Sequence, residues 1–232
     1  MKHTLIVVTI FISHLTCAQH ADSIAANKSH RVLRALAAPL ALASAAFIIQ
    51  PHDEAIQKHF SRPANEELNP PASQHIADYT QFAPIVLTYG LNFMGNKGEH
   101  TLLKSTSMLV QSEILMVAMV RPLKSLAGET RPDGGSHSFP SGHTAQAFMA
   151  ATFLHKEFGD KSIWYSIGGY TMATAVGTCR MISNRHWASD VLMGAGLGIL
   201  STNLIYLCHK HRNKNKLTVA AMPKGFSIAM KL

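Results

Sequence analysis

Six apolar segments, each longer than ten residues and set apart by polar stretches, constrain this 232-residue chain more than any other feature. They occupy positions 33–49, 82–94, 102–120, 144–154, 162–179 and 191–208. Runs of that length outlast an ordinary strand, and their content of Ala, Leu and Met favours helix. The sequence therefore predicts an all-α fold, a six-helix bundle in one domain over residues 31–209, without internal repeats. The stretch QPHDEAIQKHFSRPANEELNPPAS at 50–73 is rich in charge and proline and reads as a surface connection or a short helix.

The flanks carry different signals. Residues 1–18 contain one lysine, an apolar stretch from Leu5 to Leu15 and a small-residue site at Thr16-Cys17-Ala18. This is the pattern of a secretory signal peptide rather than a permanent anchor, and it predicts a mature protein in the periplasm or cell envelope. A polar segment follows at 19–30. At the other end, residues 210–232 form a basic tail in which two short apolar runs flank Pro223-Lys224-Gly225. A short β-hairpin and an unstructured tail both remain open there.

A spanning helix needs about 20 apolar residues. Only 162–179 and 191–208 approach that as uncharged runs, whereas 102–120 carries Lys104 and Glu113. A charge at the bilayer centre costs at least roughly 2.5 kcal/mol. The basic C-terminus, with no acidic residue after Asp190, favours a cytoplasmic end for a spanning bundle. A cleaved leader instead leaves the basic NKSHRVLR region outside. Both are satisfied if one segment does not span or if the bundle rests on the membrane. Membrane-associated and integral forms stay open.

The net charge of +8 is spread along the chain rather than gathered with aromatics, which argues against nucleic acid and leaves anionic lipid or phosphate as partners. Three cysteines signal no disulfide framework. Fourteen histidines are scattered without a compact ligand spacing, so neither a metal nor another cofactor is expected.

Three polar motifs interrupt the apolar pattern. In SHSFPSGHTAQAF, Pro140 precedes what reads as a helix start, where free backbone N–H groups form an anion site. Gly142 lets an oxyanion approach that backbone closely, Ser141 adds a hydroxyl, and His143 stands close enough to protonate a leaving oxygen. Upstream, KSLAGETRP places Lys124 seven residues before Arg131. Downstream, CRMISNRHWASD places Arg180 six residues before His186 and Asp190 four beyond it. That last spacing sets Asp190 and His186 on one helical face, where the carboxylate holds one imidazole nitrogen and frees the other to attack. Each motif alone is equally at home in a helix cap, a basic helix end or a satisfied core histidine.

Together they read K-x6-R-P, P-S-G-H and R-x5-H-x3-D, and in this order and spacing they resemble the type 2 phosphatidic acid phosphatase and vanadium haloperoxidase superfamily. The resemblance implies a phosphate cradle of Lys124, Arg131, Arg180, Ser141 and the Gly142 backbone. It also implies a nucleophile at His186, oriented by Asp190, and a general acid at His143. The activity implied is a metal-independent phosphatase acting through a phosphohistidine, on an envelope lipid phosphate or pyrophosphate. A soluble periplasmic acid phosphatase of the same superfamily is the alternative, and a non-catalytic envelope scaffold a more remote one. The third motif departs from the usual Ser-Arg, having Cys179 before Arg180.

Overall fold

The computed structural model describes the backbone of residues 30–67, 70–212, 217–222 and 225–230, with side chains over 30–60 and 75–209. The leader at 1–18 and most of the polar segment lie outside these residues. Contacts divide the chain into Met1–Ala37 and Ala38–Leu232, and everything described below as a site lies in the second unit.

Helix α1 covers residues 30–49 and passes through a 3-10 turn, Gln50–His52, into α2, Asp53–Glu67. There follow α3 (Pro70–Thr80), α4 (Ala83–Phe93), α5 (Leu102–Ala127), α6 (Gly142–Phe158), α7 (Ile163–Ile182) and α8 (Ala188–Arg212). Each of the six apolar segments is a helix. Helix α2 and the first turn of α3 arise from the charged connection, whose polar residues still allow a helix to lie against the bundle. After α8, strands β1 (Leu217–Met222) and β2 (Gly225–Met230) pair antiparallel with Leu217 opposite Met230.

Helix α6 is the axis of the bundle. It is apolar nearly all round, and the buried set runs from Thr144 to Phe158 with Phe153, Leu154 and Phe158 fully enclosed. Helix α8 packs on it through glycines. A Cβ added at Gly194 would stand 2.5 Å from the Ser141 carbonyl oxygen, and one at Gly198 would run into the Ala145 carbonyl. Only a bare backbone allows this approach, and it fixes the start of α6 beside the start of α8.

Helix α5 differs from the expectation drawn from its charges. It continues to Ala127, through Pro122, and stops where Gly128 takes a left-handed conformation at φ 58°. Two of its serines face inward: Ser105 and Ser112 are buried and donate to the carbonyls of Leu102 and Met108, at 3.1 and 2.8 Å. Leu103, Val110, Ile114 and Val117 face out. Among the described residues, three helical stretches are long and apolar enough to cross a membrane, His30–Phe60, Leu102–Ala127 and Ala188–His209, whereas α7 is not one of them. Length and outward apolar faces qualify α5 despite its four charged residues, Lys104, Glu113, Arg121 and Lys124, and the protein is membrane-associated.

Candidate active site

The motif residues meet at one end of the bundle, because α5 and α7 end where α6 and α8 begin. Lys124 lies in the last turn of α5, not beyond it as its sequence position suggested, and Arg180 lies in the last turn of α7. Cations there oppose the negative helix ends. Ser141 is the N-cap of α6, its Oγ accepting from the Thr144 amide at 3.4 Å, and Gly142 and His143 form the first helical residues. His186 stands two residues ahead of α8, with Asp190 in the first turn. Two helix N-termini thus add positive potential to the same place.

Asp190 is fully buried and its Oδ2 gathers three donors. These are the Ser138 hydroxyl at 2.5 Å, the Trp187 amide at 2.8 Å and His186 Nδ1 at 3.3 Å. The Ser141 amide donates to the Asp190 carbonyl at 3.1 Å and so ties the second motif to the third. His186 is 2% exposed, and its imidazole is pushed down to about 4, chiefly by burial, with the Lys124 and Arg180 charges adding to that and Asp190 opposing it. It is therefore neutral near pH 7. With Nδ1 facing Asp190, the lone pair of Nε2 is the one available to attack.

The three cations are held differently. Lys124 Nζ donates to the carbonyls of His137 and Ser138 at 2.8 and 3.1 Å, and Arg131 Nε donates to the Ser136 carbonyl at 3.1 Å. Both grip the loop leading into α6, which contains a cis Phe139–Pro140 bond. Arg180 is 4% exposed, and its Nε and Nη1 have no hydrogen-bond acceptor among the described residues. A buried guanidinium left this way is costly, and an oxyanion is the ligand that completes it. Beside the cradle, a Cβ added at Gly142 would meet nothing within 4 Å, so the space against that backbone is open.

His143 completes the set. Its Nε2 lies 2.8 Å from Asp78 Oδ1, and the same oxygen is 3.6 Å from Arg180 Nη1. Burial pushes the imidazole below its ordinary value, Arg180 and Arg131 push it further, and Asp78 pulls it back.

The structure brings together every residue singled out in the sequence and adds others. Ser138 bonds to Asp190, and its signal was present in the sequence as the serine before Phe139-Pro140. Asp53, at the start of α2, receives the Ser189 amide at 3.0 Å and also the Ser189 hydroxyl, capping α8. Gln57 donates to the Met181 carbonyl and to Asn184 Oδ1, both at 2.7 Å, securing the turn between α7 and α8. Trp187 Nε1 bonds the Thr130 carbonyl at 2.8 Å, and Arg185 pairs with Asp133 at 3.2 Å. Nothing local marks Asp53 and Gln57, which lie in the charged connection, or Asp78, which follows it in α3. Cys179 is half-buried against a cluster containing Ala77, Ala147 and Val176, so the departure from serine sits in packing. Among the described residues, no group of three His, Cys, Asp or Glu side chains is placed to hold a metal ion.

Comparison with known proteins finds a similar sequence and a shared fold. The lipid A 1-phosphatase of Porphyromonas gingivalis is 43% identical over 136 residues, which is 56% of this chain and 30% of that protein. The chain thus matches under a third of that relative's length. Two solved structures share the fold. LpxE of Aquifex aeolicus aligns with a TM-score of 0.54 at 22% identity, covering 66% of this chain and 94% of its own. A transmembrane PAP2-type phosphatidylglycerolphosphate phosphatase from Bacillus subtilis aligns with a TM-score of 0.53 at 23% identity, covering 77% and 96%. The PAP2 superfamily pattern itself matches residues 34–214, most of the chain, and the protein belongs to the PAP2 superfamily.

Proposed function

We propose that the protein is a metal-independent phosphatase of the cell envelope that removes phosphate from a lipid through a phosphohistidine at His186. The observation that carries this reading is the buried Arg180, whose Nε and Nη1 lack hydrogen-bond acceptors among the described residues, beside a neutral, carboxylate-held His186. His186 Nε2 attacks phosphorus while Lys124, Arg131, Arg180, Ser141 and the Gly142 amide hold the non-bridging oxygens. Phosphoryl transfer asks chiefly for positioning and charge stabilisation, and three cations with two neutral donors supply both. The P–O bond to the lipid breaks as His143 gives its proton to the departing oxygen. Water then attacks the phosphohistidine, and the neutral His143 takes its proton.

The outward apolar face of α5 favours a lipid over a soluble ester. The relative named for lipid A makes the 1-phosphate of lipid A the first substrate to test. The experiment measures phosphate release in detergent, with chelator, from lipid A, phosphatidylglycerol phosphate, phosphatidic acid and a soluble aryl phosphate. The reading predicts chelator-resistant release that is fastest from a lipid. Complete dependence on a divalent ion contradicts it, and so does a preference for the soluble ester.

A further inference from the structure

Among the described residues, Asp78 is the carboxylate that pairs with His143. It comes from α3, an element outside the three motifs, and its side chain is 37% exposed. Its Oδ1 lies 2.8 Å from His143 Nε2 and 3.6 Å from Arg180 Nη1. The arrangement mirrors the other histidine of the site. There Asp190 holds Nδ1 of His186 and leaves Nε2 to the phosphorus; here Asp78 holds Nε2 of His143 and leaves Nδ1.

We propose that Asp78 is a positioning residue for the phosphatase reaction, holding His143 by Nε2 so that Nδ1 delivers the proton to the leaving oxygen. The proposal rests on the phosphatase reading above. As the P–O bond breaks, its electron pair goes to the leaving oxygen, which takes the Nδ1 proton. The imidazole is left neutral, with Nε2–H still donating to Asp78. In the second half-reaction Nδ1 accepts a proton from the attacking water, and the imidazolium is restored.

The charges around His143 explain why such a partner is needed. Arg180 from α7 and Arg131 from the loop both disfavour the imidazolium, as does burial, and Asp78 from α3 is the group that opposes them. The same carboxylate also stands near Arg180, so it aligns the acid and one phosphate-binding cation from a single anchor. Ala77, next to it, is fully buried against Ala147 and Val176, which fixes α3 on α6 and α7.

The test compares wild type, Asp78→Asn and Asp78→Glu on an alkyl phosphate and an aryl phosphate, with the pH dependence of kcat/KM for each. Asp78→Asn keeps the shape and removes the charge. The expected result is that the alkyl ester, whose leaving group needs the proton, loses at least about tenfold more than the aryl ester. The alkaline limb should also move down by about one pH unit. Asp78→Glu should recover part of both effects. Equal losses on the two esters, an unmoved alkaline limb, or a faster Asp78→Asn enzyme each overturn the proposal, the last by showing that the carboxylate obstructs the site. A wild type that hydrolyses both esters while Asp78→Asn matches it in ratio and pH profile removes this inference and leaves the phosphatase reading intact. A wild type without phosphatase activity removes both.

Discussion

The Ser138 hydroxyl lies 2.5 Å from Asp190 Oδ2, closer than His186 Nδ1 at 3.3 Å on the same oxygen. The carboxylate is thus fixed first by the loop before α6, and the histidine is oriented by a group already locked. Ser138→Ala removes a buried hydrogen bond to a charge, worth about 1.5–3 kcal/mol. It should lower kcat by on the order of 10- to 100-fold, the range for outer partners of an oriented histidine, with little change in KM. Steady-state kinetics beside a thermal melt check both figures.

Gly142 faces open space, and nothing in its surroundings would resist a methyl group. Gly142→Ala should therefore fold as well as wild type, with Tm unchanged or raised. The methyl would stand where the oxyanion approaches the amide, and kcat/KM should fall about 100-fold. A stable but impaired variant separates the cradle from the fold.

The pH profile follows from the two histidines. His186 must be neutral to attack, and burial holds it near 4, so the acid limb should lie near pH 4. His143 must be protonated to act as acid, and burial and Arg180 hold it below its ordinary 6.5, so activity should fall as pH rises through a value below 6.5. The optimum of kcat/KM is acidic. An optimum above pH 8 would contradict this assignment of roles.

Arg180 offers N–H donors on two sides of a planar guanidinium, at Nε and Nη1, which the point charge of a lysine cannot reproduce. Vanadate in five-coordinate form resembles the transition state, so it should compete with substrate more strongly than phosphate does. Arg180→Lys should raise the vanadate inhibition constant by at least about tenfold.

At the far end of α6, Glu157 is buried and accepts from Tyr206 at 2.6 Å, from the His100 amide at 3.1 Å, and pairs with His100 Nδ1 at 2.9 Å. Fourteen residues of helix separate it from His143, roughly 20 Å. Glu157→Ala should cost about 3 kcal/mol of stability and leave kcat at permissive temperature unchanged. A loss of kcat at full fold would place a coupling along α6 that the account lacks.

The helices were legible because apolar runs leave few other solutions, and the motif residues because their types and spacings coincide three times over. What escaped was long-range placement. Asp53 and Gln57 in the charged connection, and Asp78 just after it, carry no local mark, and only the packing of α2 and α3 on α7 and α8 distinguishes them. Helix α5 was underrated as an apolar helix for another reason, since a count of its charges ignores that Ser105 and Ser112 turn inward while Leu103, Val110, Ile114 and Val117 turn out.

The central claim is that His186 becomes covalently phosphorylated. Wild-type protein should be mixed with a lipid phosphate in the presence of chelator, quenched in alkali within milliseconds, digested and examined by mass spectrometry. The account predicts an alkali-stable, acid-labile phosphate on the peptide containing His186, absent from His186→Ala and persisting longer in His143→Ala, where water attack lacks its base. Phosphate on any other residue would contradict it. So would turnover with no phosphoenzyme in either wild type or His143→Ala.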